Sequence, residues 1–253
     1  MVEWALYYGG RKMKIEFYSS IDGVVDAFPV QHAKECLPSW IGLAKQEYIS
    51  NKSMPSVYKC PGIVDILTTG FIIKAWHDID VQSQNERLIG YAPSADLEDM
   101  LGCPPVQVQG GHEIAKFLPQ RPWSHSDILK INTPWHIVAP KGMKLLMLPI
   151  SYSDNFMFES TTGILDPSVS SEVNIQGYVN HLGVIKAGTP LVHIIPMTSD
   201  KYELIVRNIN DHDRLWVKKK KYLNAFSFIF NRKKTKEAYE EHYKPKCPIH
   251  FWK

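Results

Sequence analysis

The sequence predicts a mainly β, α+β fold with a β-clip or jelly-roll-like core, and three observations predict it. From Ile128 to about Ile209, apolar runs rich in Val, Ile and Leu are cut by Pro140-Lys141-Gly142, Thr162-Gly163, Asn180-His181-Leu182-Gly183 and Ala187-Gly188-Thr189-Pro190. Short runs between turn residues are the pattern of a compact β core. The stretch before this core mixes helical spacing with alternation, and the stretch after it combines helical spacing with an excess of Lys and Arg. The expected division is a mixed α/β N-terminal region at 1–127 with a long loop at 82–112, a β core at 128–209, and a C-terminal helix and tail at 210–253 packed on that core as part of one structural unit. A chain of 253 residues, 44% hydrophobic and 22% charged, has the size and composition for one sizeable interior.

Taken in order, Met13–Tyr18 (MKIEFY) alternates as a strand does, and Met13 is a second candidate start. The residues before it, with Gly9-Gly10, read as an extension. Leu37-Pro38-Ser39-Trp40 reads as a helix start with Pro in a first-turn position, and Trp40, Ile41 and Leu43 are expected to face inward. Ile63, Ile66 and Leu67 have helical spacing ahead of Gly70, a C-cap residue. Phe71–Val81 reads as one strand. Residues 82–112 hold Ser, Gln, Asn, Pro-Pro and Gly-Gly and read as the long loop, with a short helix near Ala95–Leu101. After the core, Asn210-Asp211 caps a helix in which Leu215, Tyr222, Phe226 and Ile229 share one face. Trp216, Leu223 and Phe230 lie beside them, and the basic residues take the outer faces. The tail carries two prolines and reads as extended, with Phe251 and Trp252 docked on the body.

No run of about eighteen apolar residues occurs, so a membrane span is not expected. The first residues lack the order of a signal peptide, which points to the cytoplasm. Cys36, Cys60, Cys103 and Cys247 are far apart and form no Cys-x-x-Cys pair, which argues against a zinc ribbon or a disulfide framework. Net charge is only +3, yet Arg214, Lys218, Lys219, Lys220, Lys221, Arg232, Lys233, Lys234 and Lys236 fall together without an intervening acid.

Gly163-Ile164-Leu165-Asp166-Pro167-Ser168-Val169-Ser170-Ser171-Glu172-Val173 resembles the Gly-x-Ile-Asp-x-x-Tyr-x-Gly-x-Val motif of trimeric deoxyuridine triphosphatases and dCTP deaminases. Ile185-Lys186-Ala187-Gly188-Thr189-Pro190-Leu191-Val192-His193-Ile194-Ile195 is similar to their later Ile-x-x-Gly-x-x-Ile-Ala-Gln-Leu-Ile strand, and Ile137–Met143 to their Ile-x-x-Pro-x-Gly-Tyr pair. The resemblance implies the β-clip scaffold, a trimer, a nucleotide ligand with Mg(II), and Asp166 as the residue that activates water. The catalytic set departs from the pattern. The family's tyrosine falls on Val169, its glycine on Ser171, its glutamine on His193, and its phosphate-binding motif on Pro149-Ile150-Ser151-Tyr152, without the arginine. Over the whole chain, Leu37-Pro38-Ser39-Trp40, Cys60-Pro61-Gly62, Pro134-Trp135-His136-Ile137 and the basic C-terminal helix resemble an uncharacterised family of marine tailed phages and some bacteria. That likeness implies no known activity; the matched core strands and the incomplete catalytic set lead to the expectation of a phage-type accessory or ligand-binding protein in the host-cell cytoplasm.

The residues themselves leave other chemistry open. Asp before Pro is a common turn opener, so Asp166 has a plain structural reading beside the catalytic one. Histidine and carboxylate neighbours occur at His77-Asp78-x-Asp80, His112-Glu113, His125-x-Asp127 and Asp211-His212-Asp213. His125-Ser126-Asp127 has the spacing used by Fe(II)/2-oxoglutarate oxygenases, with His193 as the distant third ligand and Arg207 as the arginine for the co-substrate carboxylate. Lys218, Lys219, Lys220 and Lys221 with Arg232, Lys233 and Lys234 form either a solvated helix face or a track for nucleic-acid phosphates. P-loop, Rossmann, Gly-x-Ser-x-Gly and His-Glu-x-x-His signatures are absent from the chain.

Overall fold

The computed structural model describes residues 12–52, 56–110, 114–119, 121–226 and 232–244. The extension before Met13, His112-Glu113, Ile229, Phe230 and the tail with Cys247, Phe251 and Trp252 lie outside the described residues, as do the side chains of Tyr222 and Phe226.

Two open sheets supply most of the fold. The larger has the order β14 (Tyr202–Asn208), β1 (Met13–Ser19), β7 (Ile128–Val138), β11 (Glu172–Val179) and β9 (Phe158–Ser160). Strand β6 (Val106–Gln109) continues the β1 edge of β7, because both pair with β7 on the side away from β11. The second sheet runs β10 (Gly163–Leu165), β8 (Leu145–Leu148), β13 (Pro190–Pro196), β3 (Phe71–Lys74) and β2 (Gln31–His32). A three-stranded sheet joins β12 (Gly183–Ile185), β4 (Ile79–Gln84) and β5 (Arg87–Tyr91). The helices are α1 (Val24–Ala27), α2 (Ser39–Ser50), α3 (Pro61–Thr68), α4 (Asp96–Leu101), α5 (Asp211–Phe226) and α6 (Arg232–His242). The mainly β, α+β class is therefore correct, and none of the described helices is long and apolar enough to cross a membrane.

The two larger sheets meet through one apolar cluster. Ile15, Phe17, Leu129, Ile131, Ile137 and Ile175 come from the larger sheet, and Phe71, Ile73, Val192 and Ile194 from the second. Phe17 and Phe71 meet edge to face across the gap, with ring centroids 5.5 Å apart. Each such side chain contributes about 1.5–3 kcal/mol on leaving water. Strand β7 sends Leu129, Ile131, Trp135 and Ile137 into this cluster. By the two-residue period its other side chains, Lys130, Asn132 and His136, belong to the opposite face of the sheet.

Several boundaries differ from expectation. Phe71–Val81 is two strands, β3 and β4, in different sheets. The chain crosses between them at Ala75–Asp78, held by Ala75 N–H to the Thr189 carbonyl (2.8 Å) and by Trp76 Nε1–H to the Asn132 carbonyl (3.2 Å). The long loop at 82–112 is mostly ordered. It contains the β4–β5 hairpin, the expected short helix as α4, and β6. Asn85 and Glu86, with φ of 51° and 65°, make the tight two-residue turn that right-twisted hairpins favour. Helix α2 starts where Pro38 and Ser39 place it, but none of its residues is buried, and Leu43 is 68% exposed. Its apolar residues are spread around the helix and offer no single stripe to the core. Gly70 directly follows the α3 cap residue Thr69, at φ 84°. A Cβ on Gly70 would sit 2.3 Å from the Ile194 carbonyl oxygen, so β13 can approach only a glycine there.

Candidate functional site

On its outer face the larger sheet carries a transverse row of polar and aromatic side chains. Arg207 of β14 lies opposite Tyr18 of β1, Tyr18 opposite His136 of β7, and His136 opposite Glu172 of β11. The Tyr18 and His136 rings stack in parallel with centroids 4.9 Å apart, and the Arg207 guanidinium lies 5.2 Å from the Tyr18 ring centroid. Helix α5 lies across this row and is fixed at both ends by charge. Asp213 binds Arg207 through two nitrogens, and one helical span later Lys220 reaches Glu172 at 3.6 Å. Between them Trp216, 1% exposed, donates from Nε1 to Ser171 Oγ at 3.3 Å.

The start of α5 is a reciprocal cap. Asp213 N–H donates to Asn210 Oδ1 (2.9 Å), and Asn210 N–H donates to Asp213 Oδ2 (3.1 Å). Burial works against the charge on Arg207, yet the bonds it donates to Asp213 and Glu16 raise its pKa above the ordinary arginine value. Burial lowers the pKa of Lys220 while Glu172 opposes the shift. Burial also pushes His136 down to about 4, with Glu172 partly opposing, so its ring is neutral at pH 7. Its Nδ1 is buried with no hydrogen-bond partner among the described residues.

Beside the clamped face of α5 a cleft of about 720 Å³ opens over the same sheet. Arg214, Lys218 and Lys221, spaced four and three residues apart, line one wall, and Lys130, Asn132 and Asn174 line the floor with His136 and Glu172. The third side is the end of α4, from Met100 to Cys103. A Cβ at Gly102 would lie 3.2 Å from Lys221 Nζ, so that ammonium rests on the carboxyl end of α4, where the helix dipole favours a cation. Four cationic side chains thus face one carboxylate in a space of small-molecule size. Burial raises the pKa of Cys103 although Lys130 opposes the shift, which keeps its thiol protonated. Among the described residues, the histidine side chains of His77, His193 and His242 hydrogen-bond backbone carbonyls, and none bonds a serine or cysteine.

A second cavity, of about 470 Å³, lies between the start of α2 and the segment 149–158. Trp40 Nε1–H donates to the Tyr152 carbonyl (3.1 Å), and the two rings meet edge to face at 6.1 Å. Asp154 accepts from Ser39 Oγ (2.9 Å), tying the segment to the helix. Tyr152 holds φ 58°, a left-handed conformation that costs a non-glycine residue on the order of 1–3 kcal/mol.

The residues singled out from sequence are dispersed. His125, Asp127 and His193 do not form a facial triad, and no group of three metal-ligating side chains is assembled among the described residues. Asp127 is 1% exposed beside β7, and its Oδ2 accepts from Arg87 Nε and Leu88 N–H, both at 3.0 Å. His193 belongs to the other sheet and bonds the Thr69 carbonyl at 2.6 Å. Arg207 is committed to Asp213 and Glu16 and is not presented to a co-substrate. Asp166 closes its turn: Oδ1 accepts from Ser168 N–H (3.1 Å) and the Ser168 hydroxyl, and Asp166 lines neither cavity.

The basic set divides. Lys218 and Lys221 line the cleft, Lys219 is exposed, and Lys220 is buried on the sheet, against the expectation that it lies on an outer face. The inward face of α5 is Asp213, Trp216, Val217 and Lys220, while Leu215 is 63% exposed. Arg232, Lys233 and Lys234 are exposed at the start of α6. Sequence reasoning missed Tyr18, Lys130, His136 and Glu172. The available signal was alternation: Lys130, Asn132 and His136 alternate with Leu129, Ile131, Trp135 and Ile137, and Glu172 and Asn174 with Val173 and Ile175. No family model, curated protein or solved structure matches the chain.

Proposed function

We propose that this chain is an accessory, ligand-binding protein of the phage type its sequence resembles, and that the cleft beside α5 holds a phosphate-bearing small molecule, a nucleotide in particular. The observation that carries this reading is the stripe Arg214, Lys218 and Lys221 facing Lys130 across a cleft of about 720 Å³. Charge-assisted hydrogen bonds from Arg and Lys suit phosphate oxygens, and the exposed amide of Asn174 suits a ring with mixed donors and acceptors. Binding rather than hydrolysis is favoured because Asp166 stands in a turn outside the cleft. The likeness to a deoxyuridine triphosphatase scaffold is compatible with such a ligand.

Calorimetric titration with inorganic triphosphate and with deoxynucleoside triphosphates tests this. Saturable binding is expected, weakening with salt and falling by roughly tenfold or more in the Lys218→Ala/Lys221→Ala double variant. Absence of saturable binding at low salt, or affinity unchanged by the double variant, overturns the reading. A second reading, a nucleic-acid contact, is favoured by the exposure of Lys219, Arg232, Lys233 and Lys234 beyond the cleft. It requires that a single-stranded oligonucleotide bind with a steep salt dependence and lose affinity when these four are substituted.

A further inference from the structure

The cavity between α2 and the segment 149–158 has a wall of opposite character. Its aromatic side chains are Trp40, Tyr152, Phe156 and Phe158, its charged ones are Asp154 and Glu159, and no Lys or Arg lines it. Phe156 is 68% exposed and Tyr152 52%, an unusual amount of aromatic surface left to water around one opening. Asn180 also lines the cavity, and its Oδ1 is buried with no hydrogen-bond partner among the described residues. The unfavourable backbone of Tyr152 is held by the Trp40 bond, so the segment is fixed in the shape that presents these rings.

We infer that this cavity binds an alkylammonium group, a protonated primary amine on a short apolar chain. Aromatic faces attract a cation through their quadrupole and cover its methylene groups at the same time. The ammonium hydrogens match the exposed carboxylate of Asp154, of which Oδ2 already serves Ser39. Glu159 is ion-paired with Arg121 at 2.7 Å, so Asp154 supplies the charge that the occupant answers. An anion meets no cation in this wall, and a neutral polyol leaves the charge of Asp154 unanswered.

The test uses the full chain and n-butylammonium chloride, with n-butanol and glucose as neutral controls, following the Trp40 indole N–H by NMR. A saturable shift with n-butylammonium alone is expected. Asp154→Asn and Phe156→Ala should each weaken it roughly five- to tenfold while triphosphate binding stays unchanged. Phe156 is exposed and Asp154→Asn keeps an acceptor for Ser39, so both variants should retain the parent melting profile. The inference fails if either neutral control gives the same saturable shift, if n-butylammonium gives none, or if both substitutions leave its affinity unchanged.

Discussion

The two cavities are built by opposite routes. The cleft beside α5 rests on the outer face of the larger sheet, where strand alternation sets Lys130, Asn132, His136, Glu172 and Asn174 side by side, and a helix clamped at Asp213 and Lys220 completes it. The cavity beside α2 rests on an irregular segment tied to a helix that buries none of its residues, and it is held by the Trp40–Tyr152 and Ser39–Asp154 bonds. The first collects positive charge and the second aromatic rings with carboxylates. The difference teaches that on this scaffold the regular sheet fixes charge by register, whereas the loop fixes shape by a few local bonds.

The largest break in that contrast comes from Trp216. Truncating a buried tryptophan costs about 3–5 kcal/mol, so Trp216→Ala should lower the urea midpoint strongly. Hydrogen exchange should then rise along α5 well before it rises along α2. Equal protection changes in both helices would show that the two regions are not separately supported.

Acidification acts next, and it acts on the sheet-borne region through His136. The unfolded imidazole has a pKa near 6.5 and the folded His136 about 4, lowered by burial with Glu172 opposing. Between those values the unfolded chain takes up a proton that the native chain refuses, so stability falls as pH drops from 6.5 towards 4. The loss approaches roughly 3 kcal/mol from this residue below that window. Tyr18, Glu172, Lys220, Asp213 and Lys221 are the charged or titratable groups around it. Urea midpoints at pH 7.5, 5.5 and 4 should show a slope that is reduced in His136→Gln; an identical slope refutes the assignment.

The smallest effect sharpens the contrast from the other side. A Cβ at Gly177 would lie 2.4 Å from Phe158 Cζ and 2.5 Å from the Glu159 carbonyl oxygen. Gly177→Ala should therefore cost about 1–3 kcal/mol and displace the wall of the α2 cavity. Binding of n-butylammonium should weaken while triphosphate affinity holds, both read by titration.

Much of the fold was legible because it follows from short-range pattern. The turn residues after Val138 and Ile185 mark the core strands, and Asn210-Asp211 marks the start of α5. The β4–β5 hairpin was hidden because Gln82, Ser83, Gln84, Asn85, Glu86 and Arg87 read as loop, although Asn85-Glu86 forms a tight turn. The row Arg207, Tyr18, His136 and Glu172 was not legible at all. Its members come from four strands far apart in sequence, and only register brings them into line. For α5, amphipathic reading favoured Leu215, but the inward face contains Asp213 and Lys220, whose partners Arg207 and Glu172 make burial of charge tolerable.

Strand β1 pairs in parallel with β14 and antiparallel with β7, so both of its neighbours emerge long after it in synthesis. Met13 must wait for Tyr202, roughly 190 residues later, before its hydrogen bonds can close. A nascent chain therefore holds Ile15 and Phe17 without a sheet to join, and contact order of this kind slows folding and invites capture by chaperones. A circular permutant that joins the termini and opens between β1 and β7 would carry β1 after β14, separated from it by the C-terminal helices and not by most of the chain, and should refold faster than the parent with the same final sheet.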